Sequence, residues 1–177
     1  MALGPLTNVA AALARDPSLA ARIRVAVVGG NLSSWGRWPP LWPFEFNLAK
    51  DAAAARALFA SRVARDLYPL DVCRRLTVGG VELRRLGRES LVGAWLAAGS
   101  WRWLLYAPLR YQRLRFPLWD LVPALDALGL LPATHVERRL ACVGRGRLVD
   151  DDAAMPARVL TSLEAAPALA AFRRLLA

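Results

Sequence analysis

The chain has 177 residues, 56% of them hydrophobic, and a formal net charge of +10. That size supports a real core and the apolar fraction excludes a disordered chain. The charge alone would suit nucleic acid or an anionic membrane, but the cations are scattered in pairs such as Arg74–Arg75 and Arg138–Arg139, with no basic run long enough to form a nucleic-acid tail. Lys50 is the only lysine, so the excess is read as arginine filling ordinary surface positions, and nucleic acid is not expected as a partner.

In chain order, Thr7 or Asn8 can cap a helix running to about Ala14. Asp16-Pro17 breaks it and starts a short second helix. Residues 23–28 are rich in β-branched side chains and read as a mostly buried strand, ended by Gly29-Gly30. A long loop is expected from Asn31 to about Asn47, then an alanine-rich helix capped by Asp51 and running through Ala60. Residues 67–72 read as a second strand, with Pro69 favouring an edge or a strand end. Strand, helix, strand makes a βαβ unit and implies a parallel sheet. Helices are expected over 79–86, about 89–106, and from Pro117 to Gly129. A strand pair is predicted at 134–143 and 147–150, around Gly144-Arg-Gly146, then a strand at 157–161 and a helix over 164–176.

The fold class expected is α/β: an open, mainly parallel sheet with helices on both faces and a small antiparallel element near the C-terminus, in a single domain over 1–177. The chain enters at a loop and helix with no strand ahead of it, which hints at an absent upstream strand and an exposed sheet edge. Cys73 and Cys142 lie far apart and are read as buried, reduced thiols. No signal peptide is visible. The apolar stretch Leu91–Leu109 is interrupted by Arg102 and by small residues. It predicts a buried or amphipathic helix, not a membrane span. A cytoplasmic protein without a membrane partner is expected.

Ligands of open α/β sheets bind beyond the carboxyl ends of the strands. The loop after Val28 stands there and carries Trp35, Trp38, Trp42, Phe44 and Phe46. These aromatics could stack on a nucleobase or simply fold onto the protein. Glu45 and Asn47 are two residues apart, on one side of an extended chain, where both could bond neighbouring sugar hydroxyls. Asp120 reads either as a helix N-terminal acid or as a metal carboxylate. Asp150-Asp151-Asp152 reads as a solvated turn, and His135, the only histidine, as structural.

Several segments then match one family in order. Ala2-Leu-Gly-Pro-Leu-Thr-Asn-Val9, Val27-Val-Gly-Gly30, Glu45-Phe-Asn47 with Asp51, Pro69-Leu-Asp-Val72 and Phe116-Pro-Leu-Trp-Asp120 resemble motifs of the inosine–uridine preferring nucleoside hydrolases. The resemblance implies hydrolysis of the N-glycosidic bond of ribonucleosides, to base and ribose, with one bound calcium. It assigns the Thr7 backbone carbonyl and the Asp120 carboxylate to the metal, and Glu45 and Asn47 to the ribose hydroxyls; no catalytic residue is assigned. It also implies a small-molecule ribonucleoside as partner and a homo-oligomer.

Three departures stand against it. The family's aspartate cluster of the form D-x-D-x-x-x-D-D is absent. Trp119 replaces the family's histidine, and an indole donates a hydrogen bond but is no proton donor near neutral pH. An asparagine that the family places eight residues before the asparagine of the E-F-N segment would fall at Pro39. Hydrolysis is therefore expected to be compromised, and a non-catalytic remnant that binds a nucleoside or a protein partner is the alternative.

Overall fold

The computed structural model describes residues 1–32 and 45–176. In chain order the first elements are α1 (Thr7–Arg15), α2 (Leu19–Arg22), β1 (Arg24–Val28), α3 (Phe46–Lys50), α4 (Ala52–Ala60), β2 (Ala64–Tyr68) and α5 (Leu70–Cys73). Then come β3 (Thr77–Gly79), α6 (Gly80–Glu89), α7 (Leu91–Tyr111), β4 (Arg115–Pro117) and α8 (Leu121–Ala127). The chain ends in β5 (Ala133–Val143), β6 (Arg147–Asp150), β7 (Pro156–Leu163) and α9 (Ala165–Leu176). Two compact units result: Met1–Val72 with Ala133–Ser162, and Cys73–Pro132 with the residues from Leu163 onward.

The first unit is built on a five-stranded mixed sheet in the order β1-β2-β7-β5-β6. β1 pairs with β2 in parallel from Arg24↔Ala64 to Val28↔Tyr68. β2 pairs with β7 in parallel through Asp66↔Arg158 and Leu67↔Val159. β5 and β6 form the antiparallel hairpin that the glycines at 144 and 146 predict. The expected βαβ unit is thus present, with α4 as its crossover. Ala2 makes a parallel bridge to Val27, its N–H reaching the Ala26 carbonyl at 2.8 Å and its carbonyl accepting from the Val28 N–H at 3.0 Å.

β1 forms because Val25, Val27 and Val28 are β-branched and all buried. α4 lays Ala55, Leu58 and Phe59 into the same core, against Leu6, Leu67, Leu140 and Val159. The β5–β6 turn locks onto α3. Gly146 sits at φ +91°, and a Cβ there would lie 2.7 Å from both the Ala49 nitrogen and the Leu48 carbonyl carbon. Backbone cannot move aside as a side-chain tip can. Gly146→Ala is therefore expected to cost about 2–4 kcal/mol, from left-handed strain and overpacking together, read as a lower denaturant midpoint at unchanged slope.

The second unit packs α6, α7, α9 and the two-stranded β3–β4 sheet around Val78, Leu83, Leu86, Leu104 and Phe116. α7 is neither buried nor simply amphipathic. It buries Gly93, Ala97, Leu104 and Ala107, while Leu91, Trp95 and Leu109 are 91%, 76% and 84% exposed. No helix among the described residues is long and apolar enough to cross a membrane.

Boundaries differ from expectation at several places, and α7 runs on to Tyr111, past the expected end near 106. β2 occupies Ala64–Tyr68, not 67–72, because strand pairing to β1 carries Arg65 and Asp66 inside the sheet and Pro69 ends the strand. α3, at Phe46–Lys50, begins in the last two residues of the expected loop and was not expected as a helix. Residues 115–117, expected outside any element or at the start of a helix, pair with Thr77–Gly79 as strands. α8 consequently starts at Leu121, not Pro117.

Candidate functional site

The carboxyl end of β1 organises the site in the first unit. Gly29 (φ +153°) and Gly30 (φ +77°) turn the chain out of the sheet. A Cβ on Gly30 would meet the Leu148 side chain at 2.3 Å, so the turn lies tight against β6. The Gly30 carbonyl accepts from the Leu70 N–H at 2.9 Å, tying the end of β1 to the residues just past β2.

Asn47 reaches this point. Its Nδ2 donates to the Val28 carbonyl at 2.9 Å and to the Leu3 carbonyl at 3.4 Å. The side chain therefore bridges the end of β1 and the Ala2–Thr7 segment, with its amide oxygen left over for a donor.

Glu45 does not share an extended run with Asn47. It is the N-cap of α3 and is buried. One carboxylate oxygen accepts from the Asn47 N–H at 2.6 Å and the other from the Leu48 N–H at 2.5 Å. Burial pushes its carboxyl up from the ordinary value, while backbone bonds from Leu48, Asn47 and Gly30 hold it down less strongly.

Thr7 opens α1, but neither it nor Asn8 is the N-cap; Leu6 is, and no side chain caps the helix. The Thr7 hydroxyl instead donates to Asp51 Oδ2 at 2.6 Å. Asp51 also caps α4 as expected, accepting from the Ala54 N–H at 3.0 Å. Sequence reasoning missed this pairing because the partners lie 44 residues apart. The Thr7 hydroxyl first, then the Ala54 amide, lowers the Asp51 carboxyl below its ordinary range. A depressed carboxyl stabilises the fold above its unfolded value and loses that contribution as pH falls through its folded one. Thr7→Val is expected to move the acid limb of the stability profile to higher pH, measured as thermal midpoints between about pH 2 and pH 6.

Asp120 stands in the second unit. It occupies the N-cap position of α8 without any side-chain capping bond, so it acts on the helix through its charge at the N-terminus and not through a cap. It has no other partner among the described residues, and partial desolvation raises its carboxyl. Beside it, Trp119 packs edge-on against Tyr111 at 5.9 Å, and its buried Nε1 has no hydrogen-bond partner.

The other candidates resolve plainly. Asp150 is held by the Arg138 guanidinium at 2.6 and 2.8 Å, and Asp151 accepts from the Ala153 N–H. His135 accepts from Arg158 at Nδ1 and meets Tyr68 edge-on. Cys73 and Cys142 are both free and buried. Desolvation pushes the Cys142 thiol up to about 11, which excludes a thiolate nucleophile near neutral pH. The aromatic loop through Trp35, Trp38, Trp42 and Phe44, with Pro39, lies outside the described residues.

Calcium takes six to eight oxygens. Among the described residues no group of three or more His, Cys, Asp or Glu gathers to hold a metal. The Thr7 carbonyl and the Asp120 carboxylate do not make up such a donor set, so the residues present do not fit a complete calcium site.

Over 85 residues the chain is 36% identical to a pyrimidine-specific ribonucleoside hydrolase of Klebsiella pneumoniae, a match covering 48% of this chain and 27% of that protein. It is 33% identical over 88 residues to uridine nucleosidase 1 of Arabidopsis thaliana, covering 49% and 26%. The fold matches a plant nucleoside hydrolase with a TM-score of 0.82 at 23% identity, over 99% of this chain and 60% of that one. It matches the inosine-uridine preferring nucleoside hydrolase of Bacillus anthracis with a TM-score of 0.72 at 22% identity, over 98% and 58%. At these identities the structural likeness establishes the fold. The matches span about a quarter of the curated relatives' length and under two thirds of the solved structures. Residues 1–166 fit the sequence profile of the inosine-uridine preferring nucleoside hydrolases, and the chain belongs to that family.

Proposed function

We propose that the chain binds a ribonucleoside at the carboxyl end of β1 and serves hydrolysis of its N-glycosidic bond to base and ribose, with turnover compromised in this chain. The observation that carries the reading is Asn47. Its amide nitrogen is held by the Val28 carbonyl where ligands of open α/β sheets bind, leaving the amide oxygen to accept from a sugar hydroxyl. With three backbone amides on its two oxygens, the Glu45 carboxylate keeps one acceptor site, so one ribose hydroxyl can join its backbone bonds without displacing them. A carboxylate there would also favour the positive charge that develops on a sugar during glycosidic cleavage. Thr7 and Asp120 are each proposed as calcium ligands, and the described residues do not supply the remaining acidic ligands.

A second reading, a non-catalytic protein that binds a nucleoside or a protein partner, is favoured by the absence of a metal-holding cluster among the described residues. Ribose recognition is predicted by the first reading and by the nucleoside-binding form of the second, and not by the protein-binding form. Calorimetry with uridine, inosine and the free bases tests it. Binding of the nucleosides and not of the bases is expected, weakened roughly tenfold in Asn47→Ala by loss of about one hydrogen bond. Equal binding of base and nucleoside, or an unaffected variant, would sink the proposal.

A further inference from the structure

A second concavity lies within the first unit, at the opposite end of the parallel strands. It is a cleft of about 520 Å³ lined by Arg24, Arg62, Arg65, His135, Glu137 and Arg158, with apolar walls from Val136, Met155 and Pro156. Arg24 opens β1, Arg65 stands at the start of β2 and Arg158 at the start of β7. The parallel register β1-β2-β7 brings these amino-terminal ends side by side, so chain topology concentrates the guanidinium groups.

The floor of the cleft is unusual. Arg65 is 1% exposed. Its Nη1 donates to the Leu58 carbonyl at 2.9 Å, its Nη2 to the Ser61 carbonyl at 3.3 Å, and its ring partner is Phe59 at 5.3 Å. Among the described residues no carboxylate touches it, and its buried Nε has no hydrogen-bond partner. A buried cation without a counter-charge is costly, and desolvation alone accounts for its altered proton affinity. Above it, Arg24, Arg62 and Arg158 are all exposed at the rim. Two acids stand against the four arginines. Asp66 is taken by Arg24 at 2.9 Å, and Glu137 lines the rim. Arginine can only donate, so the Arg158–His135 contact at 3.0 Å makes His135 Nδ1 the acceptor, and the imidazole adds no competing negative charge.

We propose that this cleft binds a phosphate group, either as free phosphate or as the phosphomonoester of a small sugar. Planar guanidinium forks match phosphate oxygens in pairs, and a tetrahedral dianion at the rim supplies the negative charge that Arg65 lacks. The volume lies in the range of small-molecule sites, so the cleft has room for a sugar beside the phosphate, against Val136, Met155 and Pro156.

The test is a titration of the purified chain with inorganic phosphate, ribose 5-phosphate, sulfate and chloride at constant ionic strength, followed by ³¹P NMR and by the thermal midpoint. Phosphate is expected to bind and raise the midpoint where chloride does not. Arg62→Gln and Arg158→Gln, both at exposed positions, are each expected to weaken binding roughly tenfold, the size of one charge-assisted contact. Tighter binding of ribose 5-phosphate than of phosphate assigns the cleft to a phosphomonoester; equal binding assigns it to the free ion. Parity of phosphate with chloride, or undiminished binding in the Arg62→Gln/Arg158→Gln double variant, overturns the proposal.

Discussion

The purified 177-residue chain is expected to release no ribose from inosine, uridine or a nitrophenyl riboside above the background rate, with or without calcium. Calcium binds through six to eight oxygens, and carboxylate charge sets its affinity. The resemblance assigns this chain one carboxylate, Asp120, and one carbonyl, that of Thr7. Among the described residues no further acids gather into a cluster that could hold the ion. Without the ion there is neither an activated water nor a clamp on the sugar diol. The tryptophan in place of the family's histidine is the smaller loss. A general acid contributes roughly 10²–10⁴-fold, so Trp119 alone would leave a slow enzyme able to act on nitrophenyl ribosides, whose leaving group needs little protonation. The assay is therefore run on all three substrates across a calcium series. Calcium-dependent release from the nitrophenyl riboside alone would show a working metal site and a missing acid. Release from all three would overturn the expectation and point to Asp71, which stands in α5 just past β2 and accepts weakly from the Leu32 N–H at 3.4 Å, as a further contributor.

How far the sequence could be read depended on whether a signal was local. β1, α4 and the β5–β6 hairpin are written in short-range terms: a β-branched run ended by two glycines, an aspartate before an alanine run, a glycine on either side of one turn residue. All three stand close to where those signals put them. β2 was displaced because its charged first half, Arg65-Asp66, looks like a loop until its neighbours are known. Only the sheet explains it: Asp66 meets Arg24 across the ladder, and Arg65 turns into the interior to bond the Leu58 carbonyl. The site shows the same division. The family motifs pointed to Thr7, Glu45, Asn47 and Asp120, but not to what each side chain touches. The Thr7–Asp51 bond and the Asn47–Val28 bond join residues 44 and 19 positions apart, and α3 turns Glu45 inward where an extended chain would have pointed it beside Asn47. The arginine cleft was invisible for the same reason. Its lining residues are scattered over the chain, and composition made them look like ordinary surface charge.

Glu45→Ala is expected to lower the stability of the chain by about 2 kcal/mol, through the loss of an N-cap and two unsatisfied amides in a buried place. The Asn47 and Leu48 N–H groups have the two Glu45 oxygens as partners, at 2.6 and 2.5 Å, and alanine offers neither. Glu45→Gln keeps one acceptor and turns an NH₂ toward the other amide, so a large part of the loss should remain. The pH dependence has a definite sign. Burial, the strongest influence on Glu45, raises its carboxyl above the ordinary 4.5 in spite of the backbone bonds. A carboxyl raised in the folded state holds its proton more tightly there than in the unfolded chain. Its contribution is therefore complete below the unfolded value and declines as pH rises through the folded one, the reverse of Asp51. The stability advantage of the wild-type chain over Glu45→Gln should shrink as pH rises above the ordinary carboxyl value of 4.5, measured by denaturant midpoints at each pH. A sugar-binding role alone would leave both variants as stable as the wild type in the absence of nucleoside. If Glu45→Ala unfolds at the wild-type midpoint, α3 is not held by this carboxylate and Glu45 serves the ligand only; if the midpoint falls, the same carboxylate that positions Asn47 beside the end of β1 is part of the fold itself.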